Sequence, residues 1–163
     1  MITLPDSNIR VLEAVSSLDY FDSQSVKLQR EIRPLDVWNL VLAHPQPVLK
    51  VAFVIRDAIS VLFGVKKIGG FSGTQADRVK VGDFLDFFLV EYSDDTALVL
   101  TERDRHLDVM TCISADGPWI SVTSSVRVHN WFGHVYMLPV GVAHRWIVHG
   151  MLRRLRQKTS ANV

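Results

Sequence analysis

The feature that most constrains this chain is a change of hydrophobic period at Phe84. From there to His129, apolar residues fall into short alternating runs: Phe84 to Tyr92, Ala97 to Glu102, Arg105 to Ser114 and Trp119 to His129. The runs are separated by turn formers, Ser93-Asp94-Asp95 and Ala115-Asp116-Gly117-Pro118 among them. Neighbours joined by so few residues pair antiparallel, so this half of the chain predicts a meander.

Helical spacing flanks the meander on both sides. Tyr20 to Leu28 reads as a first strand, and Pro34 then opens a short helix ending near His44, with Asp36 in its first turn and Leu35, Trp38, Val41 and Leu42 at helical intervals. A second helix is predicted from Pro47 to Phe63, apolar on nearly every side and closed by Gly64. After His129, the residues Phe132, Tyr136, Val140, Ala143, Ile147 and Met151 or Leu152 trace one stripe of a long last helix, whose end gathers Arg153, Arg154, Arg156 and Lys158. That basic end reads as a solvated helix terminus before it reads as a lipid or nucleic-acid contact.

A sheet that curves around the last helix would bury its stripe, giving an α+β fold in which two helices follow the first strand. At 163 residues, with 48% apolar and 21% charged side chains, one domain can build its own core. Residues 1–18 form an arm, weakly ordered or packed on, 20–158 the core and 159–163 a tail.

Lys and Arg number 18 against 17 Asp and Glu, so no overall field gathers nucleic acid. The start carries Asp6, Arg10 and Glu13 where a signal peptide would be apolar, and Lys50, Arg56 and Asp57 interrupt the apolar stretch from Pro47 to Val65. A cytoplasmic protein with no integral membrane segment is expected. Cys112 stands alone among strand residues and reads as a buried, inert thiol.

Several strings carry a resemblance to a known family: Asp19-Tyr20-Phe21-Asp22, Ile55-Arg56-Asp57-Ala58, Phe63-Gly64-Val65-Lys66 and Val81-Gly82-Asp83, then Asp104-Arg105-His106-Leu107-Asp108. Val128-His129-Asn130, Gly133-His134-Val135-Tyr136 and Ala143-His144-Arg145-Trp146-Ile147-Val148 complete the set. In this order they resemble the bacterial domain of unknown function family 2867, within the START-like (SRPBCC) helix-grip superfamily. Val109 and Ala143 depart from the aromatic residues usual at those positions. The resemblance implies a helix-grip fold with an apolar cavity between sheet and last helix, and implies no chemistry.

Chemistry must therefore come from the residues. If Asp104 to Met110 is a strand, then Asp104, His106, Asp108 and Met110 share a face, and Ser121, Thr123, Ser125, Arg127 and His129 make a second polar ladder beside it. These ladders are either the solvated outer face of the sheet or polar groups beside the cavity. In the second case His106 with Asp108 form a catalytic acid/base pair, and Arg127 and His129 bind a ligand group. A metal set of His106, Asp108, His129 and His134 lacks the spacing of known sites, so no metal and no cofactor are expected. The glycines of 69–82 lack a nucleotide fingerprint, and whether that segment is a lid is left open. No nucleophile elbow is present.

Three readings follow. The first is a binding protein for a small apolar or amphipathic ligand, with walls from Trp38, Phe53, Phe87, Leu89, Leu100, Val126, Tyr136 and Trp146. The second is a cyclase, dehydratase or hydrolase-like enzyme of the same fold. The third is a membrane-surface or protein-interaction module, marked by an exposed apolar patch. A homodimer is left open.

Overall fold

The computed structural model describes residues 1–43 and 70–160. The helix expected over 47–63, its cap at Gly64 and the wall residue Phe53 lie outside the described residues.

Two short strands, β1 (Ile2–Thr3) and β2 (Arg10–Val11), form an N-terminal hairpin, followed by a 3-10 turn at Val15–Ser17. Strand β3 (Tyr20–Lys27) and helix α1 (Pro34–Leu42) come next. After residues 70–83, which form neither helix nor strand, come β4 (Phe84–Leu85), β5 (Phe88–Ser93), β6 (Ala97–Arg103), β7 (Leu107–Asp116) and β8 (Trp119–Val128). Helix α2 spans Trp131–Ser160. One curved antiparallel sheet runs β3-β8-β7-β6-β5-β4, so the first long strand joins the meander at its far end, beside the last.

Alternation along the strands sorts the side chains. Leu98, Leu100, Ile113 and Ile120 face the helices and share a core with Leu35, Trp38 and Leu42 of α1 and Val148, Leu152 and Leu155 of α2. The opposite face carries Ala97, Val99, Met110 and Cys112, with Leu12 and Tyr92 packed against them. The N-terminal arm is packed on, covering this face: the Arg10 and Leu12 amides donate to Cys112 Sγ (3.3 Å) and Ser125 Oγ (3.1 Å), and Asn8 Nδ2 donates to Ala115 O (2.9 Å). Cys112 is fully buried, and burial pushes its thiol pKa up, as an inert thiol requires.

Three local features depart from the expected strand pattern. The run Phe84 to Tyr92 is broken at Asp86, which takes φ 55° and accepts the Ser72 amide through its carboxylate (3.0 Å), so it turns the chain between two strands. Register also shifts between Val90 and Tyr92, a bulge at Glu91. Asp104 Oδ1 accepts the amides of His106 (2.6 Å) and Leu107 (2.9 Å), holding 104–106 in a turn and delaying the strand to Leu107.

The β5–β6 turn is organised in the same way. Asp94 Oδ1 accepts from the Thr96 and Ala97 amides (2.8 and 2.7 Å) and Oδ2 from Tyr92 Oη (2.5 Å). Burial opposes the charged form, yet these bonds outweigh it and lower the Asp94 pKa from 3.8 to about 2. Asp94→Ala should cost about 1 to 2 kcal/mol in urea unfolding. Asp94's contribution should be complete above pH 3.8 and fade as pH falls toward 2. Equal midpoints for variant and parent would show that the turn holds without it.

The last helix buries most deeply a line that is offset from the expected stripe and shares Leu152 with it. Gly133, Gly141, Val148, Leu152, Leu155 and Thr159 are its buried residues, while Tyr136, Ile147 and Met151 of the expected line are half-buried and pack on the cores beside them. The two glycines explain the difference. A Cβ on Gly133 would sit 2.6 Å from Val128 Cγ1, and one on Gly141 2.9 Å from the Tyr20 ring, so the helix backbone lies directly on the sheet. Asn130 caps the helix by accepting the Gly133 amide (3.1 Å).

Candidate functional site

A polar cluster forms on the helix-facing side of the sheet, where β3, β7 and β8 meet the first half of α2. Tyr20 enters from β3, Thr111 from β7, Ser124 from β8 and His144 from α2. Ser124 Oγ lies 3.1 Å from His144 Nε2, and Tyr20 Oη lies 3.4 Å from Nδ1. Because Tyr20 Oη donates to Gly141 O (3.1 Å), it is left to accept from Nδ1–H. Nε2 then accepts the Ser124 hydroxyl proton, and Thr111 Oγ1 stands 3.4 Å behind Ser124.

This chain of bonds suits a neutral imidazole. Burial lowers the His144 pKa below its ordinary 6.5, with Asp22 acting weakly in the other direction. Burial also raises the Tyr20 pKa, aided by Asp22, so the phenol keeps its proton. At the rim, Asp22 forms an ion pair with Arg145 Nε (3.3 Å) and accepts from Gln24 Nε2 (2.8 Å). The Arg145 guanidinium stands 5.7 Å from the Tyr20 ring centroid.

A pH dependence follows from the lowered histidine. The unfolded chain takes up a proton near pH 6.5 and the folded chain only below that, so the His144 contribution is full above pH 6.5. It should decline as pH falls toward the lowered folded value. His144→Gln should flatten that part of the stability profile, measured by thermal melts between pH 7 and 5.

Around the polar cluster the lining is apolar. Leu107, Val126 and Val128 are buried, and Tyr20, Val109, Tyr136 and Met137 pack on them while keeping part of their surface exposed. The result is an amphipathic patch at the edge strand: hydroxyls and an imidazole at one end, aliphatic and aromatic surface beside them. Although the Ser124–His144 distance suits an activated nucleophile, Ser124 is only 2% exposed, beyond the reach of a substrate carbonyl.

The residues expected from the sequence to form a site scatter around this patch. Val126 and Tyr136 line it. Trp38 and Leu100 are buried in the main core. Trp38 and Phe87 join Phe71 and Phe88 in an aromatic group at the other end of the sheet, with centroids 4.4 to 6.3 Å apart. Leu89 pairs with Thr101, and Thr101 with Met110, placing Leu89 on the outer face. Trp146 is 78% exposed on the far side of α2.

The polar ladders belong to the outer side. Asp108 Oδ1 meets His129 Nε2 at 3.1 Å, and Arg127 pairs with Glu13 (3.3 Å), with Asp19 (3.9 Å) and with the Ser17 carbonyl. Thr123 bonds Ser23 and Ser121 bonds Ser25, each at 2.7 Å, so part of the ladder is buried against the edge strand and arm rather than solvated. His106 is not on the Asp108 face. It sits in the turn, its Nδ1 donating to Asn130 Oδ1 (3.1 Å) and its Nε2 accepting from Arg105 Nε (2.8 Å). The structure thus pairs Asp108 with His129 and gives His106 a joint between turn and helix. Among the described residues no three His, Cys, Asp or Glu side chains are placed to hold a metal ion.

No local pattern joins Tyr20 to His144, although both lie in strings that carry the family resemblance, Asp19-Tyr20-Phe21-Asp22 and Ala143-His144-Arg145-Trp146. They are joined only through the β3–β8 register, which puts Tyr20 opposite Val126.

The fold is that of an α+β protein whose long terminal helix lies on one face of an antiparallel sheet. Residues 14–151 match the family described as protein of unknown function (DUF2867), and the chain belongs to that family. Neither a curated protein nor a solved structure matches it. No helix among the described residues is long and apolar enough to cross a membrane.

Proposed function

We propose that this chain is a single-domain START-like binding protein that takes a small amphipathic molecule between its sheet and its C-terminal helix. The observation that carries this reading is the buried His144, bonded to Tyr20 and Ser124, beside the apolar surface of Leu107, Val126 and Val128. A few oriented polar groups against apolar walls are what a site for such a molecule requires. The ligand's polar end meets Thr111 Oγ1, which keeps acceptor capacity, and its apolar body lies along the partly exposed Val109, Tyr136 and Met137.

Native mass spectrometry of the purified protein, followed by denaturing extraction, tests this directly. A stoichiometric lipid-like or aromatic companion is expected. Tyr136→Ala and His144→Ala should each weaken binding of an apolar dye by about tenfold, one lost contact's worth. An empty protein that binds no such dye sinks the proposal.

A further inference from the structure

Five large apolar side chains stand in solvent along one side of α2. Trp131, Val135, Leu138, Val142 and Trp146 are 75%, 44%, 72%, 61% and 78% exposed. Their spacing of four, three, four and four residues keeps them on one face, over a length of about 22 Å. Scattered exposed apolar residues need no explanation, but a continuous stripe of this size marks a contact surface.

Charge tells what kind of partner fits. Asp116 is the last carboxylate side chain of the sequence, so α2 contains none, while Arg145, Arg153, Arg154, Arg156 and Lys158 all lie on it. Arg153 and Arg156 continue the line of the stripe by helical spacing, and among the described residues Arg153, Arg154 and Arg156 make no ion pair. Asp22 already takes Arg145. A second copy of α2 would bring the same cations and no complementary charge.

We infer that the exposed face of α2 docks on an anionic lipid surface. The helix lies in the plane of the interface with its apolar stripe at the headgroup boundary, its other face kept by the sheet. Trp131 and Trp146 stand at the two ends of the stripe, and indoles favour that boundary. The basic terminal turns meet anionic headgroups. This reading stands independently of the ligand site.

Cosedimentation of the full chain with vesicles tests it, comparing phosphatidylcholine alone with phosphatidylcholine containing about one third phosphatidylglycerol. Pelleting with the anionic vesicles, little with the neutral ones, and loss at high salt are expected. Leu138→Glu, and separately Arg153→Glu with Arg156→Glu, should each reduce partitioning by about tenfold while leaving far-UV circular dichroism unchanged. The second variant carries the test if the first misfolds. A chain that stays in the supernatant overturns the inference. So does pelleting indifferent to both variants, a solution dimer split by Leu138→Glu, or a thermal midpoint that drops in that variant because the chain itself covers the stripe.

Discussion

Gly133→Ala should destabilise the protein by about 3 kcal/mol, although alanine is the better helix former by about 1 kcal/mol. The added methyl would stand 2.6 Å from Val128 Cγ1 and 2.7 Å from the His106 carbonyl oxygen. That oxygen cannot retreat cheaply, since it accepts the His129 amide at 2.8 Å. Relief would require lifting the first turn of α2, which would break the bonds that Asn130 makes to the Gly133 amide and to His106. Gly141→Ala is the informative comparison. Its methyl meets the Tyr20 ring at 2.9 Å, a side chain that can swing aside, so stability should fall less while the Tyr20–His144 contact is lost. Equal losses in urea titrations of the two variants would show that the helix start is not pinned by the backbone of the turn.

The second large effect belongs to Leu100→Ala, expected to cost about 3 to 4 kcal/mol. Leu100 has no exposed surface and lies in the core shared by sheet, α1 and α2. Truncation leaves a cavity whose walls come from three elements and cannot close by moving one of them. For a chain of this length the thermal midpoint should drop by about 10 °C. Leu89→Ala, on the outer face, should cost less, and a reversal of that order would place the faces of β5 and β6 the other way round.

The meander could be read from sequence because its alternation is strong and its turns carry recognisable chemistry at Asp94 and at Gly117, which takes φ 53°. The break at Asp86 could not, since nothing in Phe84 to Tyr92 shows that one aspartate is left-handed and tied to Ser72. The phase of α2 misled for a physical reason. Hydrophobic periodicity tracks bulky side chains, whereas the most buried line includes two glycines where backbone meets sheet, leaving Tyr136, Ile147 and Met151 half-buried beside it. The candidate site depended on a pairing between strands about a hundred residues apart. Sequence reading therefore favoured His106 and Asp108, polar neighbours in one segment, over Tyr20 and His144, polar neighbours only in space.

The position of β3 beside β8 also bears on how the protein is made. Ser23 finds Thr123, and Tyr20 finds Val126, only after the whole meander has been synthesised. During translation, β3 and the N-terminal hairpin wait without their partners while β5 to β7 zip together locally. Closure of so long a loop is entropically costly and belongs late in folding. The last strand is thus the one whose arrival locks the first into place, and a ribosome stalled before Trp119 would hold a nascent chain with an unclosed sheet and an uncovered edge.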